Sequence, residues 1–111
     1  MDAALLLYTT FPDEAVGLEI GESLVRERLA ACVNIIPGMR SVYAWNGAVE
    51  RGSEAVGIIK TREGLREAVA AALKARHPYE TPIILFLSPS GADAATLSWL
   101  LGETGAGEPP G

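Results

Sequence analysis

Asn46-Gly47 is the feature of this chain that leaves the fewest folds open. An Asn-Gly pair is the strongest short-range signal for a two-residue hairpin turn, because both central residues take positive φ. Strand-like sequence runs away from it on both sides, CVNIIPGMRSVYAW before and AVERGSEAVGIIKT after. Each arm holds about 14 residues, roughly 45 Å of strand at 3.3 Å per residue. Tyr43 and Trp45 fall on one face of the ribbon, Val42 and Ala44 on the other. Pro37-Gly38 and Arg51-Gly52 interrupt the arms and read as bulges or bends.

The segments around the hairpin fix the rest of the fold. AALLLYTT (3–10) is a short apolar strand ended by Phe11-Pro12. The stretch 12–31 reads as a helix, with Pro12 in its first turn and Asp13 and Glu14 at the positive end of its dipole. Leu18, Val25 and Leu29 recur at helical spacing and give its expected buried face. Gly17 and Gly21 weaken a helix and mark places where it lies close on a sheet. REGLREAVAAALKARH (62–77) is a second amphipathic helix built on Leu65, Val69 and Leu73. TPIILFLS (81–88) reads as a fourth strand and 91–102 as a short last helix. The order β-α-β-β-α-β plus a terminal helix is an α+β, ferredoxin-like split βαβ sandwich with a four-stranded antiparallel sheet. The right-handed crossover rule puts the first strand beside the third, with the second outside. One domain, 1–102, is expected, and 103–111, lacking large apolar residues, is expected to be a disordered tail.

Helices of 16 to 20 residues span only about 24 to 30 Å, so roughly a third of the hairpin projects beyond them. That overhang carries Tyr43, Trp45, Ala44 and Val49, an apolar edge that a solitary protein avoids. Either a second copy covers it in a closed symmetric oligomer, or the bends at Pro37 and Gly52 fold the ribbon back onto its own sheet.

Composition narrows the function classes. A formal charge of −5 disfavours phosphate-backbone partners, and the third strand lacks the aromatics of an RNA-binding sheet. Nucleic acid is not an expected partner. One cysteine cannot form an intrachain disulfide, so nothing asks for an oxidising compartment. The run MDAALLLYTT has no basic flank and is too short for a signal sequence or a membrane span. A cytoplasmic protein without a membrane partner is the expectation.

The only histidine, His77, sits between the second helix and the Pro-Tyr-Glu-Thr-Pro bracket. Pro78 forbids helical continuation in the residue before it, so His77 is either a helix-end group that bonds the last carbonyls or a ligand or acid-base group. Cys32 is either a space-filling thiol or a soft-metal ligand. Pairing backwards from the turn puts it within a residue or two of Lys60, whose ammonium favours a thiolate. Cys32 and His77 are expected at opposite ends of the sheet, roughly 20 Å apart, which argues against a dyad within one chain. Glu50, Glu54 and Glu80 are scattered oxygen donors, and no metal-ligand spacing is present.

Taken together, ERLAACVNIIPGMRSVYAWNGAVERGSEAVGIIKT, HPYETPIILFL and LSWL resemble the CutA divalent-cation-tolerance family over residues 3 to 101. The resemblance implies a ferredoxin-like subunit, a homotrimer held by intersubunit strand pairing, a likeness to PII-type signalling proteins, and association with copper and other divalent cations, without an established enzymatic reaction. It implies Cys32 and His77 as copper-responsive positions, in the AAC and HPY words. It also implies that Tyr43, Trp45, Glu54, Lys60, Tyr79, Glu80 and Pro82 lie near the clefts between subunits. Some members carry a further cysteine in the first strand, where this chain reads LLLYTT. The expected function is divalent-cation tolerance by a trimer that binds metal or a small ligand in those clefts. The alternatives are a PII-like trimer that binds a small anion or nucleotide and a partner protein, an enzyme with an intersubunit Cys-His pair, and a trimer whose Cys and His are structural.

Overall fold

A computed structural model describes residues 2–105. The chain runs β1 (Ala4–Phe11), α1 (Glu14–Arg26), β2 (Cys32–Trp45), β3 (Ala48–Arg62), a 3-10 turn (Glu63–Leu65), α2 (Arg66–Arg76), β4 (Leu85–Leu87) and α3 (Ala94–Glu103). The sheet order is β2-β3-β1-β4, antiparallel at every pairing. This is the expected split βαβ sandwich, with β1 beside β3 and β2 outside.

Leu5, Leu7 and Phe11 of β1 point toward the helices and are fully buried. Ile20 and Leu24 of α1, Ile59 of β3, and Val69 and Leu73 of α2 close the same core. Burial of each such side chain stabilises the fold by about 1.5–3 kcal/mol. The face of α1 differs from the periodicity reading. Gly17, Ile20, Gly21 and Leu24 are buried, whereas Leu18 and Val25 are exposed. The glycines set the contact line: a Cβ at Gly17 would stand 3.0 Å from Ile35 Cδ1 and Phe11 Cδ2, and one at Gly21 would stand 3.0 Å from Val33 Cγ1. The helix lies too close to the sheet for a leucine there, so its larger apolar residues turn outward.

Both helices are shorter than expected. α1 stops at Arg26 because Arg28 takes φ 60°, and Leu29 N–H and Ala30 N–H fold back to the Leu24 carbonyl. That left-handed C-terminal motif usually announces itself with glycine, which is absent here. β4 is also shorter than the expected 81–88, pairing only Leu85–Leu87 with Tyr8–Leu6. At the other end the chain stays ordered past 102. Glu103 ends α3, and Thr104 is buried at 1 % exposure. Arg62 donates to Thr104 Oγ1 (2.9 Å), to the Leu101 carbonyl (2.7 Å) and to the Thr104 carbonyl. Hydrogen bonds rather than apolar side chains hold this segment, so hydropathy missed it. The remainder of the expected tail, 106–111, lies outside the described residues.

Asn46 (φ 48°) and Gly47 (φ 79°) make the predicted turn. A bulge falls at Pro37-Gly38, where Ile36 faces Val56 but the next pair is Met39 with Glu54. One extra residue in β2 reverses its alternation. Val33 and Ile35 share a face with Ile59 and Gly57 before it; Val42 and Ala44 share that face with Arg51 and Val49 beyond it. No second bulge occurs at Arg51-Gly52, where pairing is unbroken from Arg40–Ser53 to Val42–Arg51. Gly52 instead lies beside the Tyr43 ring, whose Cε1 is 3.4 Å from where a Cβ would sit. The ribbon does not fold back. The molecule measures 51 × 27 × 23 Å, and Val42, Trp45 and Val49 are 70 %, 59 % and 77 % exposed.

Candidate functional site

At one end of the sheet, four elements converge on His77. It caps α2, its backbone N–H donating to the Leu73 carbonyl at 2.9 Å. Its ring is buried. Nε2 lies 2.7 Å from the Thr10 carbonyl oxygen, and Nδ1 accepts from Tyr79 N–H at 3.1 Å. A carbonyl only accepts and a backbone amide only donates, so Nε2 carries the hydrogen and the Nδ1 lone pair is engaged. A metal ion on this ring must displace one of those two partners. The ring also stacks on Phe11, with centroids 5.1 Å apart and planes at 13°, and meets Tyr79 at 4.8 Å.

Pro78 turns the chain so that Tyr79 reaches back to the base of the hairpin. Its hydroxyl donates to Glu54 Oε2 at 2.8 Å, and Ser41 Oγ donates to Glu54 Oε1 at 3.1 Å. Burial, reinforced by the Glu54 carboxylate, pushes the Tyr79 phenol up to about 12. Glu54 also lines a cleft of about 190 Å³ beside Asp13, Glu14 and Gly38. A phenol whose pKa is higher folded than unfolded contributes stability that is intact below about pH 10 and is lost as pH rises through about 12. Tyr79→Phe is therefore expected to flatten the alkaline fall in melting temperature relative to wild type. Thermal unfolding from pH 9 to 12 checks this; parallel curves would contradict it.

The other end of the sheet holds Cys32 and Lys60, which face each other as an antiparallel pair. Cys32 is half-buried. The loop into β2 is fixed by Ala31 N–H donating to the Lys60 carbonyl at 2.9 Å and Thr61 Oγ1 donating to the Leu29 carbonyl at 2.7 Å. On its other side Lys60 pairs with Leu6. Thr10, the partner of His77, pairs with Val56, four residues or about 13 Å of strand from Lys60. Cys32 and His77 thus do not meet within one chain. Among the described residues, no three His, Cys, Asp or Glu side chains are arranged so that they could hold a metal ion together.

Of the residues singled out from sequence, His77, Tyr79 and Glu54 form one hydrogen-bonded cluster, and Cys32 and Lys60 form a second. Tyr43 lies further up the ribbon opposite Glu50, Trp45 sits at its tip opposite Ala48, and Glu80 is exposed on the surface. Sequence reasoning missed Ser41, the Thr10 carbonyl and the Phe11 ring. A backbone carbonyl leaves no residue-type signal, and Ser41 becomes relevant only after the bulge sets its register with Gly52.

Comparison with known proteins gives a consistent result. Residues 5–103 match the family described as CutA1 divalent ion tolerance protein. The chain is 41 % identical over 101 residues to Protein CutA 1, chloroplastic, of Oryza sativa subsp. japonica, covering 91 % of this chain and 57 % of that protein. It is 42 % identical over 97 residues to the divalent-cation tolerance protein CutA of Pectobacterium atrosepticum, covering 87 % and 88 %. The chain thus spans little more than half the length of the plant relative but most of the bacterial one. The crystal structure of divalent ion tolerance protein CutA1 from Ehrlichia chaffeensis superposes with a TM-score of 0.91 at 32 % identity, covering 96 % of this chain and 99 % of that one. That of CutA1 from Oryza sativa gives 0.87 at 40 % identity, covering 91 % and 93 %. Among the described residues, no helix is long and apolar enough to cross a membrane.

Proposed function

The chain belongs to the CutA1 divalent ion tolerance protein family, and on that premise we propose that it serves divalent-cation tolerance as a cytoplasmic homotrimer that binds metal or a small ligand in clefts between subunits. The observation that carries this reading is the ribbon, whose Val42, Trp45 and Val49 have no cover in one chain. β2 and β4 are the two edges of the sheet, and a ring of three copies joined edge to edge uses both at once. We take the bound cation to be copper, which ranks highest in affinity among the divalent first-row ions for a given donor set. Cys32 supplies one such ligand per chain, so neighbouring copies complete the coordination. His77 acts as a positioned helix-end donor: its engaged ring nitrogens support that role over ligation. Tyr43, Trp45, Glu54, Lys60, Tyr79 and Glu80 line the clefts. We assign no turnover, and neither nucleic acid nor membrane is a partner.

A second reading, a PII-like trimer that takes a small anion or nucleotide and signals to a partner protein, is favoured by Lys60, which is not in any ion pair among the described residues. Light scattering together with calorimetric titration of copper and zinc tests both. The expected mass is three times the 11.7 kDa chain. Cys32→Ser is expected to weaken copper binding at least tenfold, on the order of 1.4 kcal/mol or more, with His77→Asn within about twofold. A monomer at micromolar concentration, or copper binding indifferent to Cys32→Ser, would overturn the reading.

A further inference from the structure

We propose that the cleft between α3 and the open face of the sheet binds a small apolar monoanion, an aliphatic or aromatic carboxylate whose charge rests on Lys60. The cleft holds about 300 Å³ and is walled by Ala4 and Leu6 of β1 and by Thr96, Trp99 and Leu100 of α3. Lys60 is the one charged residue lining it. That volume is at the lower end of the roughly 300–1,000 Å³ of ligand pockets, which are mostly apolar with a few orienting polar groups.

Three observations favour an anion with an apolar body. Lys60 pairs across the sheet with Leu6 on one side and Cys32 on the other, so carboxylates do not flank it in the sheet. It has no ion pair among the described residues, in a chain of net charge −5. A half-buried ammonium over an apolar floor attracts a carboxylate more strongly than one in open water. The indole of Trp99, 46 % exposed, offers a flat apolar wall to the rest of the ligand.

That wall is fixed before any ligand arrives. Arg62 donates to the Leu101 carbonyl and to both the side chain and the carbonyl of Thr104. Arg28 donates to the Gly102 carbonyl at 3.0 Å. Two guanidinium groups thus bind the otherwise unpaired carbonyls at the negative end of α3. A pinned helix loses little freedom when the cleft fills, which favours binding.

This inference rests on the part of the reading above that puts Lys60 in a ligand cleft, and not on metal binding. The test uses the full chain carrying Trp45→Phe, which leaves Trp99 as the only indole. Octanoate is titrated against Trp99 emission, with octanol as the uncharged control. A saturable change is expected with octanoate, at least tenfold weaker for octanol and for Lys60→Met, and restored by Lys60→Arg. Octanoate should also slow alkylation of Cys32, which faces Lys60. The absence of saturation at millimolar octanoate, or Lys60→Met binding within twofold of the parent, overturns the proposal. Light scattering and copper titration on the chain with Trp45 intact separate the two readings. A copper-binding trimer that ignores octanoate defeats this inference alone, whereas a monomer that binds octanoate through Lys60 supports it and defeats the trimer.

Discussion

Glutamate at both Val42 and Val49 is expected to dissociate the proposed trimer into folded monomers. The two valines are 70 % and 77 % exposed in the single chain and lie on one face of the ribbon, Val49 opposite Ala44 and Val42 opposite Arg51. Covering each by a neighbour contributes about 1.5–3 kcal/mol if burial is complete, and a closed ring repeats that gain in every copy. Position 49 faces Ala44 and would bury an unpaired carboxylate; at position 42 Arg51 stands opposite, but desolvating such an ion pair offsets what its attraction gains. At 10 µM the variant should therefore scatter as a single chain while the parent scatters as three. Its far-UV circular dichroism should stay unchanged, because neither side chain belongs to the subunit core. Leu18→Glu is the matched control: Leu18 is 53 % exposed and belongs to α1 rather than to the ribbon, and its charge should leave the mass untouched. A double variant that keeps the parent mass would show that the ribbon is not the interface.

What the sequence discloses about this fold depends on which forces leave a trace in residue type. The Asn46-Gly47 turn and the Pro37-Gly38 bulge were legible because positive φ and a missing donor restrict the residues that can stand there. Once those two positions are set, the pairing of Cys32 with Lys60 follows by counting. The buried stripe of α1 was misread because hydropathy weights Leu18 and Val25 and ignores glycine, while the sheet's closeness selects glycine at 17 and 21. The helix stop at Arg28 was hidden for the opposite reason: a residue other than glycine occupies a left-handed position and gives no warning. At the site, His77, Tyr79 and Glu54 were each conspicuous. Their union through Tyr79 Oη and Ser41 was not, since it joins residues far apart in sequence whose approach only the completed turn at Pro78 brings about.

Gly57→Ala is expected to destabilise the protein by about 1–3 kcal/mol, and the loss should shrink when Phe11 is shortened first. Gly57 sits in β3 between Thr9 on one side and Ile35 on the other, so its backbone is held from both edges. An added Cβ would stand 2.5 Å from Phe11 Cε2 and 3.0 Å from Thr9 Cγ2. The same ring meets Gly17 of α1 from above, where a Cβ would lie 3.0 Å from Phe11 Cδ2. Phe11 thus occupies space that two glycines leave, one in the sheet and one in the helix, and it cannot yield toward either. Its remaining freedom is toward His77, on which it stacks. Gly57→Ala should therefore shift the ring signals of the single histidine in proton NMR as well as lower stability. Phe11→Ala alone should cost about 3–5 kcal/mol, with Phe11→Leu as the milder partner if that variant does not fold. In the double variant the clash has no ring to meet, so denaturant unfolding should report a coupling of about 0.5–3 kcal/mol between the two positions. Strictly additive costs would mean that Phe11 has room to move, and that the core and the His77 cluster are not the single packed unit their geometry describes.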